Sequence, residues 1–181
     1  MVLDYNGVSG VRFERVSGDL TDHYDPKGNV IRLSEPVYDS TGIAAIGVAA
    51  HEAGHAVQYA KSFAFVKLRM AMIPVCKIGS NLAWPLLFIG LLFNIFGLYI
   101  IGIIMFSLST LFQLVTLPVE FNASSRALKT LTASNILDND EIKGAKKVLW
   151  AAAMTYVAAL AVSIVQLLRF VLIAMSRGRR N

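Results

Sequence analysis

The sequence predicts a mainly α-helical membrane protein. A small N-terminal β region precedes a helical domain, a transmembrane helical hairpin and a third, C-terminal transmembrane helix. Three observations carry this. Charged residues are only 16% of the 181 and hydrophobic ones 55%, whereas soluble domains carry about 25% charge. No charged residue occurs between Ser80 and Val119, and a second long apolar run extends from Trp150 to Met175. The third observation is the run His51-Glu-Ala-Gly-His55, set in an Ala-rich stretch of helical length.

Residues 1–40 read as the small β region. Val11-Arg-Phe-Glu-Arg-Val16 largely alternates apolar and polar residues, as a half-buried strand does. Asp25-Pro-Lys-Gly28 is a turn signal between Tyr24 and Val30, and Val30-Ile-Arg-Leu33 is a second short strand. Ser34 is placed to cap a helical turn opening with Glu35 and Pro36. A free strand edge here would bind an extended peptide by strand addition. The alternative is a structural hairpin that covers the motif helix. These residues contain no long apolar run, so a cleavable signal peptide is not predicted.

Residues 41–79 hold the motif helix and a following helix, and residues 80–118 the hairpin. A single straight helix over the charge-free run would be about 60 Å long, twice the hydrocarbon thickness. Two spans, 80–97 and 98–118, fit instead, with a break near Asn94-Ile-Phe-Gly97. Residues 119–149 form a helix carrying Glu120 and then a loop. Residues 150–176 form the third span, in which Arg169 can snorkel to the interface. Residues 177–181 are a basic tail with Arg177, Arg179 and Arg180.

The chemistry sits in the helix of residues 41–60. Two histidines four apart lie one turn above each other on one helix face, so both rings reach one metal ion. Glu52 follows the first ligand and is placed to deprotonate a zinc-bound water, which is the mechanism of the H-E-x-x-H zinc hydrolases. The competing reading is a buried Ala-rich helix with two incidental histidines, each of which would then need its own partner. The chain has three histidines, His23, His51 and His55.

A catalytic zinc takes three protein ligands and keeps one open position. Glu120 is the only acidic residue between Glu52 and Asp138, at the end of a long apolar run. A carboxylate there is costly and needs a reason. Glu120 is therefore the candidate third ligand of a Zn2+ site with His51 and His55. The competing readings are an interfacial carboxylate paired with Arg126 or Lys129, and a three-histidine site completed by His23. Ligands on either side of the hairpin must lie on one face of the membrane, which two crossings allow and one does not. His23 and Tyr24, in Thr21-Asp-His-Tyr-Asp-Pro26, are candidates for stabilising an oxyanion or contacting substrate. The alternative for His23 is a turn residue paired with Asp22 or Asp25.

Lys67, Arg69, Lys77, Arg126, Lys129, Lys143, Lys146 and Lys147 flank the spans on the site side, against the short tail on the other. The positive-inside rule then places the site at the cytoplasmic face of the cell membrane. The net charge of +5 reads as attraction to lipid headgroups. No basic-aromatic nucleic-acid motif is present, so nucleic acid is not an expected partner. The lone Cys76 excludes an internal disulfide. Small residues at Ala151–Ala153, Ala158 and Ala159 suit close helix packing, within the chain or between copies, and leave the oligomeric state open.

The chain resembles the YugP-like family of membrane zinc metallopeptidases. The matching stretches are Leu20-Thr-Asp-His-Tyr-Asp-Pro26, Gly47-Val-Ala-Ala-His-Glu-Ala-Gly-His-Ala56, Gly79-Ser-Asn-Leu-Ala-Trp-Pro85 and Phe112-Gln-Leu-Val-Thr-Leu-Pro-Val-Glu-Phe-Asn-Ala-Ser124. The resemblance implies zinc at His51 and His55, catalysis by Glu52 and a third ligand at Glu120. Family members are expected to carry a further N-terminal membrane helix. Met1–Gly7 looks like the end of the segment that follows it, so the chain reads as truncated at its start, with four spans rather than three in the longer form. More distantly, the chain is similar to HtpX-type membrane proteases. There an aspartate four residues after the glutamate orients a zinc histidine. Ser124 stands at that position here, with Asn122 or a backbone carbonyl as substitutes.

These readings lead to a membrane-embedded zinc endopeptidase acting on peptide or protein substrates, with Glu52 as general base. Two rivals stand beside it. One is a site-2-type intramembrane protease with Asp138 as a ligand. The other is a non-enzymatic membrane scaffold with a structural zinc, which would need more ligands of the cysteine type than Cys76 supplies.

Overall fold

In the computed structural model, residues 1–178 are described, and they divide into two compact units. The expected basic tail falls largely outside them, at Arg179, Arg180 and Asn181.

The first unit comprises Met1–Val66 and Pro118–Met154. It opens with a short helix α1 (Val2–Tyr5), followed by strands β1 (Arg12–Val16), β2 (His23–Asp25) and β3 (Val30–Ser34). The sheet order is β1-β3-β2, with β1 parallel and β2 antiparallel to β3. Two strands were expected from the sequence and three form. The turn over Asp25–Gly28, fixed by the Lys27 N–H donating to Asp25 Oδ1 at 2.9 Å, lies between Tyr24 and Val30 as the sequence indicates, and joins β2 to β3. β2 is only three residues long, too short to show a period-2 signal. Arg32 of β3 ties the sheet together, reaching Glu14 of β1 at 3.0 Å and Asp25 of β2 at 2.9 Å.

Ser34 occupies the N-cap position of the short helix α2 (Glu35–Tyr38), yet makes no side-chain cap. Its hydroxyl and backbone N–H both donate to Asp22 instead. This pins the segment leading into β2 against the end of β3.

Helix α3 (Ile43–Ala60) carries the motif. It packs through small residues, and its Ala50, Ala53, Ala56 and Val57 join Ile31 and Leu33 of β3 in one core with Ala127, Leu131, Ala145 and Leu149. Gly54 is required at its position: a Cβ there would lie 2.6 Å from the Ala123 carbonyl oxygen. That close approach brings the helix bearing Glu120 against the motif helix.

The second unit, beginning at Lys67–Leu117 and resuming at Thr155, holds most of the apolar length. Helices α4 (Ala64–Leu92), α5 (Phe96–Ala133) and α6 (Asn139–Gly178) are each long and apolar enough to cross a membrane. The chain turns between α4 and α5 at residues 93–95, with Asn94 in the left-handed region. Trp84, Phe106 and Phe170 meet edge-on at 5.2–6.0 Å. Thr110 and Ser163 share a hydrogen bond of 2.7 Å, and Tyr99 donates to the Phe170 carbonyl at 3.3 Å. Arg177 donates to the Leu91 carbonyl and to Asn94 Oδ1, which ties the end of α6 to the α4–α5 turn. Ile78, Trp84, Phe88 and Val165 stand exposed, as side chains that face lipid do.

α4 is longer than the expected first span. It begins at Ala64, includes Lys67, Arg69 and Lys77, and continues through Pro74 and Pro85. Neighbouring helices let a membrane helix tolerate prolines that would end a soluble one.

Candidate metal centre

Three ligand atoms converge inside the first unit. His51 Nε2 lies 3.3 Å and His55 Nε2 3.5 Å from the same Glu120 oxygen, Oε2. The two rings stand 4.7 Å apart at 86°. Each residue offers one atom to a common point, with all three atoms within 4.8 Å of one another. Glu120 is 2% exposed, so water does not solvate its charge.

The protonation pattern decides what this group can hold. The Gln58 amide NH2 donates to the Val119 carbonyl at 2.7 Å and to Asn122 Oδ1 at 3.1 Å. A carbonyl only accepts, so the amide orientation is fixed and Gln58 Oε1 faces His55 Nδ1 at 3.0 Å. His55 therefore carries its proton on Nδ1, and in the neutral ring Nε2 presents a lone pair toward Glu120. His51 Nδ1 sits 3.0 Å from the Ser124 hydroxyl, which leaves its Nε2 facing the same point. The lone pairs of His55 Nε2 and Glu120 Oε2 face one another, an arrangement that a cation or a proton between them stabilises. Two imidazole nitrogens and one carboxylate oxygen are the donor set of a three-ligand zinc site. Burial opposes the imidazolium form of His55, but the adjacent Glu120 carboxylate outweighs it and raises the His55 pKa above its ordinary value. The pocket thus favours positive charge.

Glu52 lies beside this group and is buried. Burial raises its pKa above the ordinary carboxylate value, with His55 and His51 partly opposing the rise. Its carboxylate accepts a hydrogen bond from the Tyr24 backbone N–H. β2 is the strand at the sheet edge, and it meets the site through this backbone contact. The side chains of this strand are engaged elsewhere. The Tyr24 hydroxyl donates to Asn29 at 2.8 Å and its ring packs on Tyr59 at 5.4 Å. His23 is exposed, with Nδ1 2.8 Å from the Thr21 carbonyl oxygen, and it is not part of the His51–His55–Glu120 group.

Among the other expected residues, Asn122 acts on the group through Gln58, and its Oδ1 also accepts from Arg126 Nε at 2.8 Å. Asp138 Oδ1 accepts the N–H groups of Asp140 and Glu141, both at 2.8 Å, at the start of α6. Cys76 lies in the second unit and donates to the Leu108 carbonyl at 3.6 Å. Gln58 was not foreseen. It stands three residues after His55, one helix turn along the same face, which was the available signal.

Gln58→Ala should weaken metal binding about 10–100-fold while leaving the helix content intact, because it frees the His55 ring to rotate and change tautomer. A competition titration against a zinc chelator measures it. Unchanged affinity would show that Gln58 does not hold the ring.

Long apolar helices joined to a His–His–Glu donor set mark a membrane metallopeptidase. Comparison with known proteins gives the family. Over residues 1–175 the chain matches the family described as "Putative neutral zinc metallopeptidase", and it belongs to that family. It is 51% identical to the Bacillus subtilis (strain 168) protein named "Putative membrane protease YugP", over 99% of this chain and 80% of that one. No solved structure matches the chain. The family and the relative together support a zinc protease, and the three apolar helices fit a membrane protein.

Proposed function

We propose that the chain is a membrane-anchored zinc endopeptidase whose ligands are His51, His55 and Glu120 and whose general base is Glu52. The observation that carries this is the convergence of two Nε2 atoms and Glu120 Oε2 on one point, with the buried Glu52 carboxylate beside it. Zn2+ held there supplies a Lewis acid that polarises the scissile carbonyl and acidifies the attacking water.

The chain's own residues do the remaining work. Glu52 takes the proton from the attacking water and returns it to the departing amine. Burial raises its pKa, which makes it a stronger proton acceptor than an exposed carboxylate. The Tyr24 N–H holds the carboxylate in place. Ser124 and Gln58 fix the two imidazole rings. The outer edge of β2 offers a backbone against which an extended peptide can pair, and so be laid across the site. The basic residues flanking the spans support a cell-membrane protein with its site on the cytoplasmic face. Asp138, the ligand that an intramembrane reading needs, is committed to the start of α6.

Detergent-purified protein incubated with an unfolded protein substrate should produce internal cleavage products. A chelator should stop this, and stoichiometric zinc should restore it. Cleavage that survives full removal of zinc, as read by metal analysis, would refute a zinc-dependent reaction.

A further inference from the structure

The first unit contains a groove outside the metal centre, about 520 Å3 in volume, between the C-terminal part of α5 and the start of α6. Phe121, Leu128 and Lys129 are among its α5 residues, and Lys146, Leu149 and Trp150 among those of α6. With Ser124, Ser125 and Thr132 on α5 and Ile142 and Ala153 on α6, the lining positions fall at three- and four-residue intervals, so each helix presents one face to it. The groove is graded along its length. Phe121 and Trp150 lie at one end with rings 6.1 Å apart, and Trp150 is 58% exposed. Lys129 and Lys146 stand on the rim, and neither pairs with a carboxylate among the described residues. The nearby acids are engaged: Asp140 with Lys143 at 2.8 Å, Asp138 and Glu141 with the backbone where α6 begins.

The grading matches the depth profile of a bilayer. The charge-free run of α5 ends at Val119 and that of α6 begins at Val148. Phe121 and Trp150 are therefore at the hydrocarbon boundary, where aromatic rings collect. Lys146 is one turn further out, about 6 Å along the axis. Lys129 is two turns from Phe121, about 12 Å, within reach of the same level once its side chain extends. The headgroup layer is on the order of 5–8 Å thick on each side.

We propose that this groove binds an anionic phospholipid. Its phosphate would lie between Lys129 and Lys146, and an acyl chain would run along Phe121 and Trp150. Charge complementarity selects the occupant. A second copy of the chain would bring two more unpaired lysines against these two, whereas a phosphate neutralises them. A free phosphate would leave the apolar floor uncovered.

The test uses the full chain carrying Trp84→Phe, so that Trp150 is the only tryptophan. The protein is placed in phosphatidylcholine vesicles containing a minor fraction of phosphatidylglycerol brominated on its acyl chains. Trp150 should be quenched as if phosphatidylglycerol were enriched about thirtyfold at its ring, as expected from two nearby lysines at about 1 kcal/mol each. Lys129→Gln with Lys146→Gln should bring the enrichment close to unity. Lys143→Gln with Lys147→Gln, the same charge change outside the groove, should preserve it. Equal quenching by brominated phosphatidylcholine and phosphatidylglycerol overturns the proposal. So does an equal loss in both double variants, which would mean a diffuse surface effect. Native mass spectrometry of protein with both tryptophans, extracted from the same lipid mixture, is a second readout. Retained phosphatidylglycerol that disappears only in the Lys129/Lys146 variant supports the site. A dimer that shields Trp150 without retained lipid replaces the lipid with a second copy.

Discussion

Glu120→Ala should strip zinc from the protein while leaving most of its helices in place. The carboxylate is the one proposed ligand that comes from outside the motif helix, and its Oε2 is the atom both imidazoles face. Without it two histidines remain, and a three-ligand site becomes a two-ligand one. Loss of a partner outside the ligand set costs roughly 10–100-fold in metal affinity. Loss of a ligand should exceed that. Because Glu120 is buried, alanine also leaves a hole, so Glu120→Gln is the companion variant. It keeps the volume and removes the charge. Zinc should raise the melting temperature of wild type, and both variants should lose that rise, since only a state that binds zinc is stabilised by it. Zinc content and melting are read on the same samples, and circular dichroism reports helix retention. Stoichiometric zinc with unchanged affinity in both variants would remove Glu120 from the ligand set. The convergence would then rest on protons shared between the imidazoles and the carboxylate.

The sequence displays some of this arrangement and hides the rest, for physical reasons. His51, Glu52 and His55 are legible because their geometry is local: four residues on a helix place two rings together whatever the rest of the chain does. Glu120 is legible by cost, as the only acid in a long apolar stretch. The three long helices follow from charge-free runs. Gln58 has no such signature, since its role exists only once Val119 and Asn122 are brought beside it. That meeting depends on Gly54 lying against the Ala123 carbonyl, a contact between residues 69 apart in sequence. β2 is hidden in the same way. Three residues become a strand because β3 supplies the partner, and their backbone reaches Glu52 because Ser34 and Asp22 hold the segment down. The parallel pairing of β1 with β3 likewise rests on a crossover that local alternation does not encode. The early start of α4 is hidden by Lys67, Arg69 and Lys77, which read as a polar flank yet lie on a continuous helix.

Glu52→Gln should abolish cleavage and keep the metal. The glutamine has nearly the same shape, and its carbonyl oxygen can still accept the Tyr24 N–H. It also removes a carboxylate whose burial disfavours its charged form, so the fold should be retained. The amide has no basic oxygen able to take a proton from water at neutral pH. Positioned general bases contribute about 10²–10⁴ in rate, and a loss of that size or larger in kcat/KM is expected. Zinc affinity should change little, because Glu52 is not among the three converging donors. This outcome separates the functions that the Glu120 variants cannot: losing metal destroys activity indirectly, whereas Glu52→Gln removes only the proton transfer. A Glu52→Gln protein that holds zinc and cleaves at the wild-type rate would assign the base elsewhere. One that loses zinc as Glu120→Ala does would make Glu52 part of the metal site itself. Retained zinc with lost cleavage leaves one role for the buried carboxylate, moving a proton between water and the departing amine.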